Sequence, residues 1–117
     1  MDAGLEVDVR HAPVVVIRLS GEVDVFTAPR LREKIIELVN RGQRLIVVDL
    51  DAVDFLDSTG LGVLVGGLKR LRSHDGEMSM VCNEPRLLRV FELTRLDAVF
   101  AIHRTVADAV ATFSGAG

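Results

Sequence analysis

The sequence predicts a single α/β domain built on a mixed central β-sheet with about four α-helices. Three observations carry that expectation. Two β-branched apolar runs open the chain, helix and strand patterns then alternate to its end, and no repeat, linker or low-complexity tract divides it. With 117 residues, 49% of them hydrophobic, the chain has single-domain size and enough apolar matter to bury a core. That core is expected over about residues 5 to 113.

Leu5 to Val9 and Val14 to Leu19 read as strands, and the short connection through Pro13 predicts an antiparallel pair. Gly21 is expected to end the second. Thr27 offers an N-cap with Pro29 in the first turn, where its missing N–H costs nothing. Leu31, Ile35 and Leu38 follow at spacings of four and three, a helix with one buried face that Gly42 stops. Leu45 to Leu50, apolar apart from Asp49, suits a central strand covered on both faces.

A second helix is predicted from about Thr59 to Ser73. At about 100° per residue, its Leu61, Leu64, Val65, Leu68 and Leu71 share one arc. Met78 to Cys82 reads as a strand. Asn83 is the expected cap of a third helix, with Pro85 in its first turn and Leu87, Val90 and Phe91 facing inward. Val99 to Ile102 is a short last strand. Thr105 and Asp108 form a capping box for a final helix that packs through Val106, Ala109, Val110 and Phe113. Ser114 to Gly117 is expected to fray.

Composition excludes several classes of function. Seventeen acidic against fourteen basic side chains leave a net charge of -3, which argues against direct nucleic-acid contact. The lone Cys82 cannot close an internal disulfide. Charge arrives early (Asp2, Glu6, Asp8, Arg10), no signal peptide is visible, and no apolar run is long enough for a bilayer. The expectation is a soluble cytoplasmic protein with no membrane association.

Catalytic constellations are equally thin. His11, His74 and His103 fall in separate predicted elements without a metal-ligand spacing, and Cys82 has no second cysteine to join it. Lys34 and Lys69 are the only lysines and neither follows a GxxxxG, so no Walker A loop exists. A Ser-His-Asp triad at Ser58 lacks a histidine near it in sequence. Asp49, Asp51, Asp54 and Asp57 invite a Mg²⁺ or phosphoryl-acceptor reading like that of a receiver domain. The acidic pair after a first strand and the lysine after a last one are missing, which favours acids that flank and cap the next helix.

One segment departs from ordinary packing. Gly60, Gly62, Gly66 and Gly67 sit in one predicted helix, where each costs about 0.5 to 1 kcal/mol relative to alanine. With Val63 they lie opposite the leucine arc, giving a nearly side-chain-free outer face that begins at Ser58. Either a neighbouring element of this chain approaches there or another protein does. Ser58 falls at the N-cap or first turn, where unpaired N–H groups and a partial positive charge accommodate a phosphate; simple capping is the alternative.

VDFLDSTGLGVL (Val53 to Leu64) resembles the signature of STAS-domain anti-sigma factor antagonists. GEVDVFTAPRL (Gly21 to Leu31) resembles a second block of that family at the matching distance upstream. The likeness runs from about Leu5 to Phe113 and implies the STAS fold. It further implies a partner switch in which Ser58 is phosphorylated by the anti-sigma factor, itself a serine kinase. The unphosphorylated form would bind that kinase and free a sigma factor, and a PP2C-type serine phosphatase would restore it. Asp24 occupies a position linked to partner binding, and the start of the second helix (Asp57, Ser58, Thr59, Gly60, Gly62, Val63, Gly66) the docking surface. ATP would belong to the kinase, so the resemblance implies no cofactor and no catalysis in this chain. A STAS scaffold subunit of a signalling assembly or transporter is the other function it admits.

Overall fold

A computed structural model describes residues 3 to 114. In chain order the elements are β1 (Ala3–Asp8), β2 (Val14–Val23), α1 (Ala28–Asn40), β3 (Leu45–Leu56), α2 (Ser58–Arg72), β4 (Glu77–Val81), α3 (Pro85–Leu93), β5 (Ala101–His103) and α4 (Val106–Ser114). The five strands lie side by side in sequence order. β1 is antiparallel to β2, whereas β2, β3, β4 and β5 run parallel. This is the mixed sheet with four helices that the alternating pattern predicts, with β3 at its centre. Among the described residues no helix is long and apolar enough to cross a membrane.

Right-handed crossovers between strands taken in sequence all step across the sheet in one direction, which puts their helices on one face. Accordingly α1, α2 and α3 share the larger core, where Leu31, Ile35, Leu64, Leu68, Leu71, Leu87 and Phe91 meet Ile17, Ile46, Val48, Met78 and Met80. Alternation along each strand sends Val14, Val16, Val47 and Val81 to the opposite face, beneath Ala109 of α4. Val106, Val110 and Phe113 pack there too, and the Thr105 hydroxyl accepts the Asp108 N–H at 3.0 Å, one of the two bonds of the expected capping box. Asp8, 7% exposed, is held by charge: the Arg10 and then the Arg18 guanidinium donate to it and keep its carboxyl well below the usual carboxylate range.

Several boundaries differ from expectation. Gly21 does not end β2; with φ 78° it sits where the β2–β3 register shifts, and the strand continues to Val23. β3 likewise runs on to Leu56. The last strand starts later than expected, at Ala101, because a 3₁₀ turn (Leu96–Ala98) precedes it and leaves Val99 exposed. Glu84 rather than Asn83 caps α3, its carboxylate accepting the Arg86 N–H at 3.3 Å. Asn83 is drawn away to β3, donating from its side-chain amide to both Asp51 carboxylate oxygens and to the Arg104 carbonyl. Val90 is half-buried. Gly42 does stop α1: at φ 92° it lets the Gln43 N–H return to the Leu38 carbonyl at 3.0 Å. Ser114 closes α4, and the rest of the expected frayed tail, 115–117, lies outside the described residues.

Candidate functional site

The two glycine-bearing motifs begin 32 residues apart in sequence, at Gly21 and Val53, and those two residues pair on adjacent strands. Glu22 pairs with Phe55 and Val23 with Leu56, so the chain leaves the sheet side by side at Asp24 and Asp57. The Asp57 N–H ties the exits together by donating to the Val23 carbonyl at 3.2 Å. C-terminal ends of parallel strands are where α/β folds commonly expose chemistry, and here both carry an acid.

Asp24 builds the first of the two turns. Its Oδ1 accepts the N–H groups of Phe26 (2.9 Å) and Thr27 (3.1 Å), and its own N–H donates to the Thr27 hydroxyl at 2.9 Å. Thr27 holds the N-cap position as expected, yet its side chain caps nothing. Its hydroxyl turns back to donate to the Glu22 carbonyl at 2.7 Å. No side chain caps α1; Asp24 instead orders the turn ahead of it, accepting two N–H groups that precede the helix. Replacing Asp24 with alanine is expected to cost about 1 kcal/mol, because two N–H groups of the turn lose their acceptor, while Asp24→Asn keeps the acceptor oxygen and costs less. Chemical denaturation of the two variants checks this; equal losses would mean that the charge and not the acceptor holds the turn.

Asp57 starts α2. Its backbone is extended (φ -95°, ψ -176°) and its carboxylate accepts the Gly60 N–H at 3.0 Å. The cap is thus supplied, and Ser58, at the first helical position, is left exposed with no hydrogen bond to its hydroxyl among the described residues. Simple capping by Ser58 is set aside on that geometry. Thr59 is exposed beside it, and Val63 is half-buried.

The glycines of α2 divide into two kinds. A β-carbon on Gly60 would lie 2.5 Å from Leu56 Cδ1 and 3.0 Å from the Val23 carbonyl oxygen, and one on Gly67 2.9 Å from Ile35 Cδ1. Both are buried, so the flat outer face expected from all four is corrected to half of them. Close packing against α1 and β4 rotates the buried arc onto Gly60, Leu64, Gly67, Leu68 and Leu71, leaving Leu61 and Val65 half-buried at its border. Gly62 and Gly66 meet nothing within 4 Å of a built β-carbon. They floor a groove of about 330 Å³ between α1 and α2 that begins at Thr59 and whose walls include Arg32, Ile36 and Arg70.

Large apolar side chains stand open at the same end of the sheet, a feature sequence reasoning missed. Phe26 is 86% exposed, Val25 57% and Phe55 50%. Their signal is that two of them occupy a loop with no periodic pattern to bury them. The remaining candidates fall elsewhere. His11 lies 3.7 Å from Asp8, His74 beside the Arg70 carbonyl and His103 on β5. No group of three acidic, histidine or cysteine side chains is placed to hold a metal among the described residues. Cys82 is buried, and burial pushes its thiol up, away from the reactive thiolate.

Comparison with known proteins bears on the family and the fold. The family model described as the STAS domain matches residues 6–109. An anti-sigma-B factor antagonist of Listeria monocytogenes is 34% identical over 102 residues, 87% of this chain and 90% of that protein. A Staphylococcus aureus protein of the same name is 41% identical over 80 residues, 68% of this chain and 74% of its own. The crystal structure of an anti-sigma factor antagonist from Mycobacterium paratuberculosis is similar at a TM-score of 0.86 and 33% identity, covering 95% of this chain and 93% of the other.

Proposed function

The chain belongs to the STAS-domain family, and from that premise we propose that it is an anti-sigma factor antagonist switched by phosphorylation of Ser58. The unphosphorylated form binds an anti-sigma factor in the cytoplasm and releases the sigma factor held by it. That anti-sigma factor is a serine kinase which transfers the γ-phosphoryl of its own ATP to Ser58, ending the complex. A PP2C-type serine phosphatase hydrolyses the ester and restores the binding form. This chain contributes recognition and a hydroxyl, not catalysis.

The observation that carries the proposal is the free Ser58 hydroxyl. A serine at a helix start ordinarily spends its oxygen on capping, but Asp57 has taken that duty. What is left is an exposed nucleophile one residue from a half-buried carboxylate and beside the Asp24 turn. Phosphorylation adds about -1.5 to -2 charges at that point, and the N–H groups of the first turn hold the phosphate without refolding.

Incubation with ATP and the anti-sigma kinase, followed by mass spectrometry, tests the reading. One phosphate on Ser58, absent from Ser58→Ala, is expected. Phosphate on an aspartate, or none under conditions where the kinase modifies another substrate, would sink it.

A further inference from the structure

We infer that Phe26 is the anchor of the docking surface, and that the anti-sigma partner receives it in an apolar socket rimmed by lysine or arginine. The inference rests on the functional reading above and adds the chemistry of the partner. Phe26 is the most exposed large hydrophobic residue described, and Val25 and Phe55 extend the apolar surface at the same sheet end. An aromatic ring left in water on a turn is unfavourable for the free protein and gains most from burial in a complex. The turn beneath it is already ordered, with the Phe26 N–H on Asp24 Oδ1 at 2.9 Å and the Thr27 hydroxyl on the Glu22 carbonyl. A side chain presented from a fixed backbone loses little freedom on binding, which is the character of an interface hot spot.

Charge identifies the occupant. The strand exits that carry the patch and Ser58 present Glu22, Asp24, Asp54 and Asp57, while Asp49 faces Arg18 at 3.7 Å, Asp51 holds the Asn83 amide, and the cations Arg32 and Arg70 stand further along, on the α1–α2 groove. Arg30, the first cation beyond the Asp24 turn, keeps its charge but points its guanidinium to β1, donating to the Ala3 carbonyl at 2.8 Å. A second copy of this chain would set carboxylates against carboxylates, and an anionic lipid surface would be repelled. A basic rim around an apolar pocket fits both features. A phosphate on Ser58 adds a bulky, strongly hydrated dianion at the edge of the same surface, and the socket cannot close on the ring without stripping the dianion of its water.

The test uses the kinase retained on immobilised Ser58→Ala protein, identified by mass spectrometry and then purified. Its affinity is measured for the wild-type chain, Phe26→Ala, Phe26→Leu and Ser58→Glu, with association rates at low and high salt. Phe26→Ala is expected to weaken binding at least about tenfold with an unchanged thermal melt, Phe26→Leu to recover part of it, and association to slow about tenfold from 50 to 500 mM NaCl. Phe26→Ala within twofold of wild type, while Ser58→Glu still loses binding, would overturn the anchor and leave the switch standing. Salt-independent association would overturn the basic rim. A concentration-dependent dimer abolished by Phe26→Ala would overturn the proposal by assigning the patch to self-association, and retention of no anti-sigma kinase would overturn both readings together.

Discussion

Ser58→Glu is expected to bind the anti-sigma factor about one hundredfold more weakly than Ser58→Ala, while folding at least as stably. The stability half follows from position. Ser58 is the first residue of α2 and its hydroxyl has no partner among the described residues, so alanine removes nothing the fold uses. Glutamate at the same place faces the positive end of the helix, where a carboxylate is worth about 0.3 to 1 kcal/mol. A variant that binds poorly because it unfolds is thereby distinguished from one that binds poorly because it carries charge. The binding half follows from desolvation. An interface closed over an exposed side chain strips water from any charge placed there, and without a matched cation this costs several kcal/mol, each 1.4 kcal/mol being about tenfold in affinity. The authentic phosphate is larger and carries more charge than glutamate, so its effect is expected to be greater still. Calorimetric titration of the three forms decides the matter, and equal affinity for alanine and glutamate variants would remove the switch.

How much of this was legible in the chain depends on whether the deciding contact was local. The elements were, because hydrophobic spacing and capping residues act within a few positions: Leu31, Ile35 and Leu38 are buried on α1, and Gly42 ends it. Competition between neighbouring caps was not. Asn83 against Glu84 and Ser58 against Asp57 are pairs of competent residues; in the first a tertiary partner decides, Asp51 of β3 drawing Asn83 out of its helix, and in the second Asp57 takes the Gly60 N–H. Strand ends were hidden for a similar reason. Gly21 and the polar residues after Leu19 look like a terminus, yet parallel pairing with β3 carries β2 to Val23 and so brings Asp24 next to Asp57. Phe26 escaped notice because an aromatic letter ordinarily signals core.

The glycines of α2 show the same limit and supply the sharpest structural prediction. Four identical letters predicted one face, but the contacts that bury two of them, Gly60 and Gly67, include residues far off in sequence, at Val23, Ile35 and Met78. Gly62→Ala is expected to stabilise the protein by about 0.5 to 1 kcal/mol, because it removes backbone entropy from the unfolded chain and its methyl meets nothing. Gly60→Ala is expected to destabilise by about 1 to 3 kcal/mol, since its methyl would press on Leu56 and on the Val23 carbonyl, which cannot move without disturbing the β2–β3 exit. Opposite signs for one substitution, two residues apart on one helix, are the mark of a packed side and an open side. That the open side keeps a residue costly to the helix calls for a use, and Gly62→Arg probes it. The arginine fits without strain at an exposed position and fills the groove beside Thr59, so the melt should hold while affinity for the anti-sigma factor falls at least about tenfold. If the arginine variant instead melts early, α2 has no open side and the groove is internal packing. If it folds and binds as tightly as the parent, docking is confined to Ser58 and the Asp24 turn.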